Sequence, residues 1–413
     1  MIMSKLYFWI IVILSILFLS CSNHPKNQFI SVRGKEMITP DGKPFVMKGT
    51  NLGNWLNPEE YMFQLNDVSS YRLIDEAFKE MVGEDFVNQF WRKFQDNYIT
   101  QADIHYIRQT GMNSIRLPFH YKLFTNRDYM GQNDSTRGFE LIDKVVKWCK
   151  EEGLYVVLDM HDAPGGQTGD NIDDSYGYPW IFENENDQNL YVSIWKRIAE
   201  HYASEPIIIG YDLMNEPIAT FFEKEKDELN KKLQPLYEKA TKAIREVDKN
   251  HIIIIGGAQW NQNFDIFNNL PFDDNMMLTC HTYGCDTTKE SIQRFLDYST
   301  KVNLPIYMGE TGENTDTWVK AFRKVMDENN MGWHFWPYKK IKVTSCLVSI
   351  TEPKNWEVLG DYTKKDRSNF WKIREVRPNQ KIVKEALNDL LEKIKFENCT
   401  KNNGYIEALG MKP

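Results

Sequence analysis

The sequence predicts an α/β fold, a closed (β/α)8 barrel of the TIM type, from three observations. Short apolar runs typical of strands alternate with amphipathic stretches typical of helices from residue 45 onward. Eight such runs occur, which is the strand number of this barrel. Two of them bring a glutamate, Glu216 or Glu310, to the point where the chain turns. In a parallel barrel both carboxyls would open onto the same face.

The predicted elements follow in order along the chain. The strands cover residues 45–53, 114–119, 155–161, 207–216, 252–257, 277–283, 305–311 and 332–338. The helices cover residues 101–110, 139–152, 188–202, 227–247, 289–302, 316–329 and 381–395. Residues 30–44, with the turn Pro40-Asp41-Gly42, predict an N-terminal hairpin that covers the closed end of the barrel. Long insertions after Leu56, after the third strand and between Lys339 and Pro378 follow strand ends, so we expect them around the mouth.

Composition limits the possible partners. Of the 413 residues 42% are hydrophobic, which is enough for one large core, and we expect a single domain over residues 22–413 that acts as a monomer. A formal charge of -8 and the lack of a basic stripe with interleaved aromatics disfavour nucleic acid as a partner. The 12 Trp, 20 Tyr and 23 Phe supply flat rings of the kind on which sugar faces stack.

Residues 1–21 resemble a bacterial signal peptide. An apolar run over residues 6–19 follows Lys5 and ends in Leu19-Ser20-Cys21, which is similar to a lipobox with Cys21 as the lipidated first residue of the mature chain. Simple cleavage and an uncleaved anchor are the alternatives. We therefore expect a location outside the cytoplasm, as a lipoprotein in the periplasm or on the cell surface or as a secreted protein, with membrane contact only through the lipid anchor.

The remaining cysteines predict neither a disulfide framework nor a metal centre. Without Cys21 five cysteines remain, an odd number that cannot all pair internally. Cys280, His281 and Cys285 are close in sequence, but neighbouring strand residues point to opposite faces, so Cys280 and His281 should diverge. We expect no metal and no cofactor.

The two strand-end glutamates predict the chemistry. They lie in Tyr211-Asp-Leu-Met-Asn-Glu-Pro217 and Pro305-Ile-Tyr-Met-Gly-Glu-Thr311. Two carboxyls that face each other across a cleft can flank a glycosidic bond, one as acid and the other as nucleophile or base. Glu313 is an alternative to Glu310, but it lies farther beyond the strand end.

Seven motifs carry a resemblance to a known family. They are Gly49-Thr-Asn-Leu-Gly-Asn-Trp55, Ser114-Ile-Arg-Leu-Pro118, Leu158-Asp-Met-His161, Asn215-Glu-Pro217, His281-Thr-Tyr283, Gly309-Glu310 and Trp333-His-Phe-Trp336. In this order at strand ends the chain resembles glycoside hydrolase family 5, the cellulase-type group of retaining barrel glycosidases. The first motif and His161-Asp-Ala-Pro-Gly-Gly-Gln167 are most similar to the exo-β-1,3-glucanase branch.

The resemblance implies a role for each motif residue. Glu310 would be the nucleophile and Glu216 the acid/base, with Asn215 on the sugar 2-hydroxyl. Arg116 would favour the charged form of Glu310, and that charge would keep a proton on Glu216. Further supporting roles fall on Tyr283 as the residue that orients Glu310, His281 beside the acid/base, His161 at the glycone and Trp336 as its floor.

Other strand-end residues are candidates for contacts with substrate. Polar or stacking contacts are expected from Asn51, Gln167, Asp170 and Trp260. The aromatic platforms expected under sugar rings are Trp55, Tyr178, Trp180, Trp260 and Trp336. Solvated loop charges or turn caps explain Asp162, Asp173 and Asp174 equally well.

The sequence therefore predicts a retaining β-glycosidase that hydrolyses β-linked glucan or gluco-oligosaccharides. The alternatives are a β-mannan or other β-glycan hydrolase of the same fold, a non-catalytic carbohydrate-binding surface lipoprotein, a metal-dependent hydrolase that uses His161, Asp162 and His281, and a structural surface protein. The sugar itself is set by loop shape and does not follow from the catalytic residues.

Overall fold

A closed barrel of eight parallel strands forms the centre of the molecule. The computed structural model describes residues 28–413. The barrel strands are β4 (Lys48–Asn51), β5 (Ser114–His120), β6 (Tyr155–Asp162), β7 (Ile208–Asp212), β8 (Ile252–Gly256), β9 (Met276–His281), β10 (Ile306–Gly312) and β11 (Trp333–Trp336). They are hydrogen-bonded in chain order, and β11 closes the ring by pairing with β4. The prediction of a (β/α)8 barrel is confirmed, and each predicted strand overlaps one barrel strand.

The strands are apolar on both faces because each packs against the barrel interior on one side and helices on the other. Ile252–Gly256, for example, is four isoleucines and a glycine, all buried. Glycine is required where strands approach closely. A Cβ at Gly49 of β4 would lie within 1.8 Å of the Ser114 backbone oxygen in β5.

Helices surround the barrel and fill the insertions. They are α1 (Tyr71–Val82), α2 (Glu84–Tyr98), α3 (Gln101–Gln109), α4 (Arg137–Glu152), α5 (Glu185–Tyr202), α6 (Lys226–Arg245), α7 (Ala258–Asn261), α8 (Glu290–Val302), α9 (Asp316–Glu328), α10 (Trp356–Thr363), α11 (Phe370–Val376), α12 (Gln380–Lys393) and α13 (Asn403–Ala408). All seven predicted helices are present. The predicted insertion after Leu56 contains α1 and α2, whose apolar faces pack into the core, and the insertion after Lys339 contains α10 and α11.

An N-terminal sheet covers the closed end of the barrel, as expected. It consists of β1 (Ser31–Arg33), β2 (Glu36–Ile38) and β3 (Pro44–Phe45). Ile30 and Met37 pack with the barrel residues Ile209 and Ile254 in one apolar cluster. The sequence predicted one turn, but the structure has two. The first, at Gly34 and Lys35, joins β1 to β2, and the predicted turn at Pro40-Asp41-Gly42 joins β2 to β3.

A second small sheet joins the end of the barrel to the C-terminal segment. Its strands are β12 (Lys339–Ile341), β13 (Val348–Ile350) and β14 (Thr400–Lys401). The Lys339 ammonium is fully buried there and lies 2.7 Å from the carboxylate of Asp103, which is equally buried. The same ammonium donates to the backbone oxygens of Tyr98 and Ile394. This ion pair connects three parts of the chain that are distant in sequence.

The expectation of a signal peptide with a lipidated Cys21 falls outside the described residues. From residue 28 to the C-terminus, no helix is long and apolar enough to cross a bilayer. Five free thiols lie in this part of the chain. Cys280 and His281 diverge as expected, since the Cys280 thiol faces the Tyr307 backbone oxygen and the His281 ring faces Glu216.

Removing the buried ammonium should destabilise the fold strongly. Lys339→Met leaves the Asp103 carboxylate buried without its cation, so we expect a loss of about 3–5 kcal/mol in the free energy of unfolding. Urea unfolding followed by circular dichroism measures this loss. The double variant Lys339→Met/Asp103→Asn should recover part of it, because no unpaired charge is left. A double variant as unstable as Lys339→Met would contradict the assignment.

Candidate active site

An unusual backbone conformation at the end of β7 directs Glu216 to the barrel mouth. The strand ends at Asp212, four residues before the predicted end. Glu216 itself has φ +45°, in the left-handed region that is uncommon for a residue with a side chain. Its carbonyl accepts a hydrogen bond of 2.7 Å from the Thr168 hydroxyl, and the preceding Asn215 amide donates to the Met160 carbonyl. The loop after β6 therefore holds the turn that presents the carboxyl.

A β-bulge directs Glu310 to the same place. The register between β10 and β9 shifts between Met308 and Glu310, so Gly309 is the additional residue. A Cβ at Gly309 would lie 2.1 Å from the Thr279 hydroxyl and 2.9 Å from the His281 ring. Only glycine fits at the bulge, and the bulge turns the Glu310 side chain toward Glu216.

The two carboxyls lie close together in one cavity. One oxygen of Glu216, one of Glu310 and a ring nitrogen of His281 all lie within 4.8 Å of one another. The cavity has a volume of about 510 Å³, a size typical of ligand sites. Its lining includes Glu59, Tyr61, His161, Glu216, Tyr283, Glu310, Glu313 and Trp336.

Arg116 is the cation at the centre of the site, and it is fully buried. Its guanidinium contacts three carboxylates, from Glu310 at 2.5 Å, Asp212 at 2.8 Å and Asp159 at 3.0 Å. It also donates to the side-chain oxygen of Asn215 at 2.9 Å. The predicted proximity of Arg116 to Glu310 is confirmed. Burial raises the pKa of Asp159 to about 7 and that of Asp212 to about 7, although Arg116 opposes both shifts.

His161 is held between the side chains of Asp159 and Asn215. Its Nδ1 lies 2.8 Å from the Asp159 carboxylate, and its Nε2 lies 3.3 Å from the Asn215 amide nitrogen, which donates to it. The ring stacks on Trp336 with centroids 5.3 Å apart and planes inclined by 8°. Trp336 in turn donates from its indole nitrogen to the Tyr61 hydroxyl at 2.7 Å. Both predicted residues therefore lie in the cavity wall.

His281 contacts the predicted acid/base directly. Its Nδ1 lies 2.8 Å from Glu216 Oε1, and its Nε2 accepts from the Asn261 amide nitrogen at 3.2 Å. Burial lowers the pKa of His281 to about 3, so the ring is neutral at ordinary pH. Because Asn261 supplies a proton at Nε2, the ring proton lies on Nδ1 and is donated to Glu216.

Three successive residues of the short segment α7 have left-handed rather than right-handed helical backbone angles, and they place Asn261. Gln259, Trp260 and Asn261 have φ of 51°, 58° and 58°. This conformation is costly for residues with a Cβ. It returns the Asn261 side chain beneath the site, where its oxygen would lie 1.9 Å from a Cβ at Gly256. The sequence offered no spacing signal for this contact.

Glu216, the predicted acid/base, has a pKa that suits a proton donor. Burial raises the pKa of Glu216 to about 7, while the neighbouring His161 and Arg116 side chains lower it and Asp170 raises it. The sequence predicted that the negative charge of Glu310 keeps the proton on Glu216. The largest cause in the structure is instead removal of the carboxyl from water.

Tyr283 orients the predicted nucleophile. Its hydroxyl donates to Glu310 Oε2 at 3.0 Å. Strand β9 ends at His281, two residues earlier than predicted, so Tyr283 lies in the following loop and is 39% exposed. The hydrogen bond is nevertheless the one that the sequence predicted.

Several predicted substrate contacts are instead structural. Asn51 is fully buried and donates to the backbone oxygens of Gly309 and His334, while its oxygen accepts from Arg116. Gln167 donates to the backbone oxygens of His161 and Asn215. Both side chains therefore position the site from behind and do not face the cavity. From sequence alone, an Asn or Gln near a strand end could equally contact substrate or support the site from behind.

The predicted aromatic platforms divide in the same way. Trp336 alone of the five lines the catalytic cavity. Trp55 is buried and donates to the Gln95 backbone oxygen, so it belongs to the core. Trp260 is half-buried with its ring edge-on to Phe221, outside the cavity wall. Trp180 lines a separate cavity with Tyr121, and Tyr178 packs beside Trp180.

Several residues of the site were not predicted from the sequence. Asp212 contacts Arg116 and Asn261 contacts His281, while Glu59 and Tyr61 line the cavity together with Glu313. Asp212 was visible as a charge at the end of an apolar strand. Glu313, weighed only as an alternative nucleophile, pairs with Lys340 at 2.5 Å. Burial and the neighbouring charge of Glu310 raise the pKa of Glu59 well above its usual range.

Two groups of three side chains have the spacing of metal ligands. They are Asp159 with His161 and Glu310, and Glu216 with His281 and Glu310. Arg116 already lies against Asp159 and Glu310. In addition, Asn215 and Asn261 donate to the histidine nitrogens that remain. Because those amides donate to Nε2, each ring proton lies on Nδ1, the nitrogen that faces the carboxylates, so Nδ1 has no free lone pair for a cation.

A parallel barrel that presents two adjacent carboxyls at its open end is the architecture of many glycosidases. Residues 75–341 match the family model for cellulase, glycosyl hydrolase family 5, and the chain belongs to this family. The site residues from Arg116 to Trp336 all lie within that match.

Individual relatives cover parts of the chain. It is 30% identical to a beta-xylosidase of Phanerodontia chrysosporium over 58% of this chain and 48% of the relative. It is 33% identical to endoglucanase C of Acetivibrio thermocellus over 46% of this chain and 51% of the relative. The chain thus spans about half the length of these relatives. A cellodextrinase A of Ruminococcus flavefaciens is 26% identical over 69% of this chain and 83% of the relative.

Solved structures support the fold. An endogalactoceramidase has a TM-score of 0.57 at 17% identity, covering 88% of this chain and 84% of that protein. A beta-glucanase of Saccharophagus degradans has a TM-score of 0.52 at 16% identity, covering 89% of this chain and 94% of that protein. At these identities the likeness concerns the barrel alone.

Removing the Asn261 side-chain amide should change which ring nitrogen of His281 carries the proton. Asn261→Gly keeps a backbone that tolerates positive φ but deletes the donor to Nε2. We expect the imidazole proton to redistribute from Nδ1 toward Nε2, which ¹⁵N chemical shifts of the ring measure. Asn261→Asp is the matched contrast, because its acceptor should draw a proton onto Nε2. Unchanged ring shifts in both variants would refute the role of Asn261.

The protonation of Glu216 should respond to a single neighbouring charge. Asp170 raises the pKa of Glu216, so Asp170→Asn should move the midpoint of about 7 to lower pH. Carboxyl ¹³C shifts followed through a pH titration measure the midpoint. The asparagine can keep the hydrogen bond that the Asp170 side chain accepts from the Asn171 amide, which controls for loop structure. A midpoint that rises would be inconsistent with the assigned charge effect.

Proposed function

We propose that this chain is a retaining β-glycosidase that hydrolyses β-linked glucan or gluco-oligosaccharides through a covalent glycosyl-enzyme. The observation that carries the proposal is the carboxyl pair, with one oxygen of Glu216 within 4.8 Å of one oxygen of Glu310. Retaining enzymes hold their carboxyl groups roughly 5–5.5 Å apart, while inverting enzymes need about 6.5–9.5 Å to admit a water. The separation favours retention.

In the first step Glu310 attacks the anomeric carbon. Its carboxylate is paired with Arg116 and accepts from Tyr283, which fixes one oxygen on each side. As the new C–O bond forms, the glycosidic C–O bond breaks and the leaving oxygen takes the proton of Glu216. His281 holds Oε1 of Glu216, so the acidic proton belongs on Oε2.

In the second step water releases the sugar. Glu216, now a carboxylate, takes a proton from water while the water oxygen bonds to the anomeric carbon and Glu310 leaves as carboxylate. Asn215 can support both steps. Its oxygen is held by Arg116 and one amide hydrogen by His161, so the second hydrogen is available to the sugar 2-hydroxyl.

The names of the relatives support β-glucan as the substrate class. They include endoglucanase C and cellodextrinase A, together with a glucan 1,3-beta-glucosidase of Kluyveromyces lactis at 23% identity. The intact pair Glu216 and Glu310, with its supporting hydrogen bonds, favours a catalyst over a non-catalytic binding protein. β-Mannan and other β-glycans are the alternative substrates for the same fold.

Loss of either carboxyl should separate the two catalytic roles. Glu310→Ala should reduce hydrolysis of every substrate by about 10⁴-fold or more, since the covalent step is removed. Glu216→Ala should slow natural linkages by roughly 10²–10⁴-fold but activated aryl β-glucosides much less, since those leaving groups need no proton. Sugar release from β-1,3-, β-1,4- and β-1,6-glucans, mannan and xylan measures the first effect, and aryl release the second.

Product stereochemistry provides an independent check on the same proposal. Proton NMR of the first product should show retention at the anomeric carbon. Inversion would overturn the mechanism, and no release from any of these β-glycans by a folded protein would overturn the proposed function. Activity that survives a chelator would disfavour the metal-dependent alternative.

A further inference from the structure

An exposed aromatic pair lies far outside the catalytic site. No side chain of helix α11 (Phe370–Val376) is fully buried, although Val376 packs against the core. Phe370 is 80% exposed and Trp371 is 76% exposed. A helix of a folded domain normally buries an apolar face, and adjacent exposed aromatics of this kind often mark an interaction surface.

The helix is nevertheless firmly attached. Asn369 caps it by accepting hydrogen bonds from the amides of Trp371 and Lys372. Just before it, Arg367 pairs with Glu80 of α1 at 2.5 Å, and the Tyr362 hydroxyl donates to the same carboxylate. The aromatic pair is therefore displayed on an ordered support.

The surrounding charge has the opposite sign to that of the whole protein. Residues 364–377 contain six basic and two acidic residues, a formal charge of +4 in a chain of -8. Arg367 and Lys372 have carboxylate partners. Within residues 28–413, no carboxylate lies within 4.0 Å of the charged groups of Lys364, Lys365, Arg374 or Arg377. These four cations are free to meet an external anion.

Arg374 links the aromatic pair to the basic segment. The guanidinium of Arg374 lies 4.2 Å from the centroid of the Trp371 ring, and its Nε donates to the Phe370 backbone oxygen. A neutral glycan would stack on the ring faces, but one face of Trp371 is occupied and the cations would have no counterpart. Aromatic rings beside Lys and Arg are instead what the headgroup region of an anionic bilayer accommodates.

We propose that Lys364, Lys365, Phe370, Trp371, Arg374 and Arg377 form a peripheral docking surface for a membrane with anionic lipid headgroups. Phe370 and Trp371 enter the headgroup region, and the four cations contact lipid phosphates. This binding requires neither a lipid at Cys21 nor hydrolytic activity. It is therefore independent of the proposed catalytic function.

Vesicle sedimentation tests the proposal. The chain that begins at residue 22 contains all the described elements, including the barrel and both flanking sheets, and omits the apolar run over residues 6–19. It should sediment with phosphatidylcholine vesicles that contain phosphatidylglycerol, and far less with phosphatidylcholine alone. Binding should weaken as salt is added, because exposed charges are screened.

Variants separate the two contributions. Lys364→Gln/Lys365→Gln/Arg377→Gln should lower the affinity for the anionic vesicles on the order of a hundredfold, as three cations are lost. Phe370→Ser/Trp371→Ser should lower affinity for the same vesicles by at least about tenfold. The matched control is Tyr176→Ser, which removes an aromatic side chain that is 79% exposed and also faces a guanidinium, that of Arg72. It should leave vesicle binding unchanged.

Four outcomes would overturn the proposal. Three of them are absence of binding to the anionic vesicles, binding that both sets of variants leave intact, and an equal loss in Tyr176→Ser. A fourth is retention on insoluble β-glucan that disappears in Phe370→Ser/Trp371→Ser without any vesicle binding, which would assign the surface to a glycan. Hydrolysis of a soluble aryl β-glucoside by each variant reports on the folded state, because none of these positions lines the catalytic cavity.

Discussion

One buried cation, Arg116, is the interaction on which the active site depends. Its side chain projects from β5 and contacts carboxylates from β6, β7 and β10, as well as the amide oxygen of Asn51 on β4. A guanidinium can satisfy this many acceptors because its five N–H groups have a fixed planar geometry. Removal of this charge would leave several acidic groups close together in a low dielectric, so the barrel strands and the catalytic charges are stabilised by the same contacts.

Burial and two asparagines control where protons reside around that cation. Glu216 retains a proton because it is removed from water, while Glu310 lies against Arg116. Asn215 and Asn261 each donate to Nε2 of a neutral histidine, which leaves the opposite nitrogen as a donor to Asp159 or Glu216. The backbone has an unusual form at both ends of this arrangement, with left-handed Glu216 and Asn261 and a bulge at Gly309. These features cluster at the site, where functional requirements outweigh backbone preference.

Some kinds of element are predictable from the sequence and others are not. Barrel strands were predictable because both of their faces are buried, which makes each strand an apolar run bounded by polar turns. The sequence predicted an insertion after Leu56 but not the helices α1 and α2 within it. Only Gly83 marks the boundary between these two helices. Among aromatic residues, Trp336 ends a barrel strand and Trp55 follows one, yet Trp336 stacks on His161 and Trp55 faces the core. Sequence position places both residues near the mouth but does not give the direction of either side chain.

The sequence by itself determined the fold class, the order of the strands and the two carboxyls, because hydrophobic periodicity and strand-end motifs are local properties of the chain. It also placed Arg116, His161, His281 and Tyr283 at the mouth. Only the tertiary structure decided that Asp212 and Asn261 complete the site, that Asn51 and Gln167 act from behind it, and that burial is the main cause of the raised pKa of Glu216. Those properties depend on contacts between residues distant in sequence and on the exclusion of water, and neither exists until the barrel is closed.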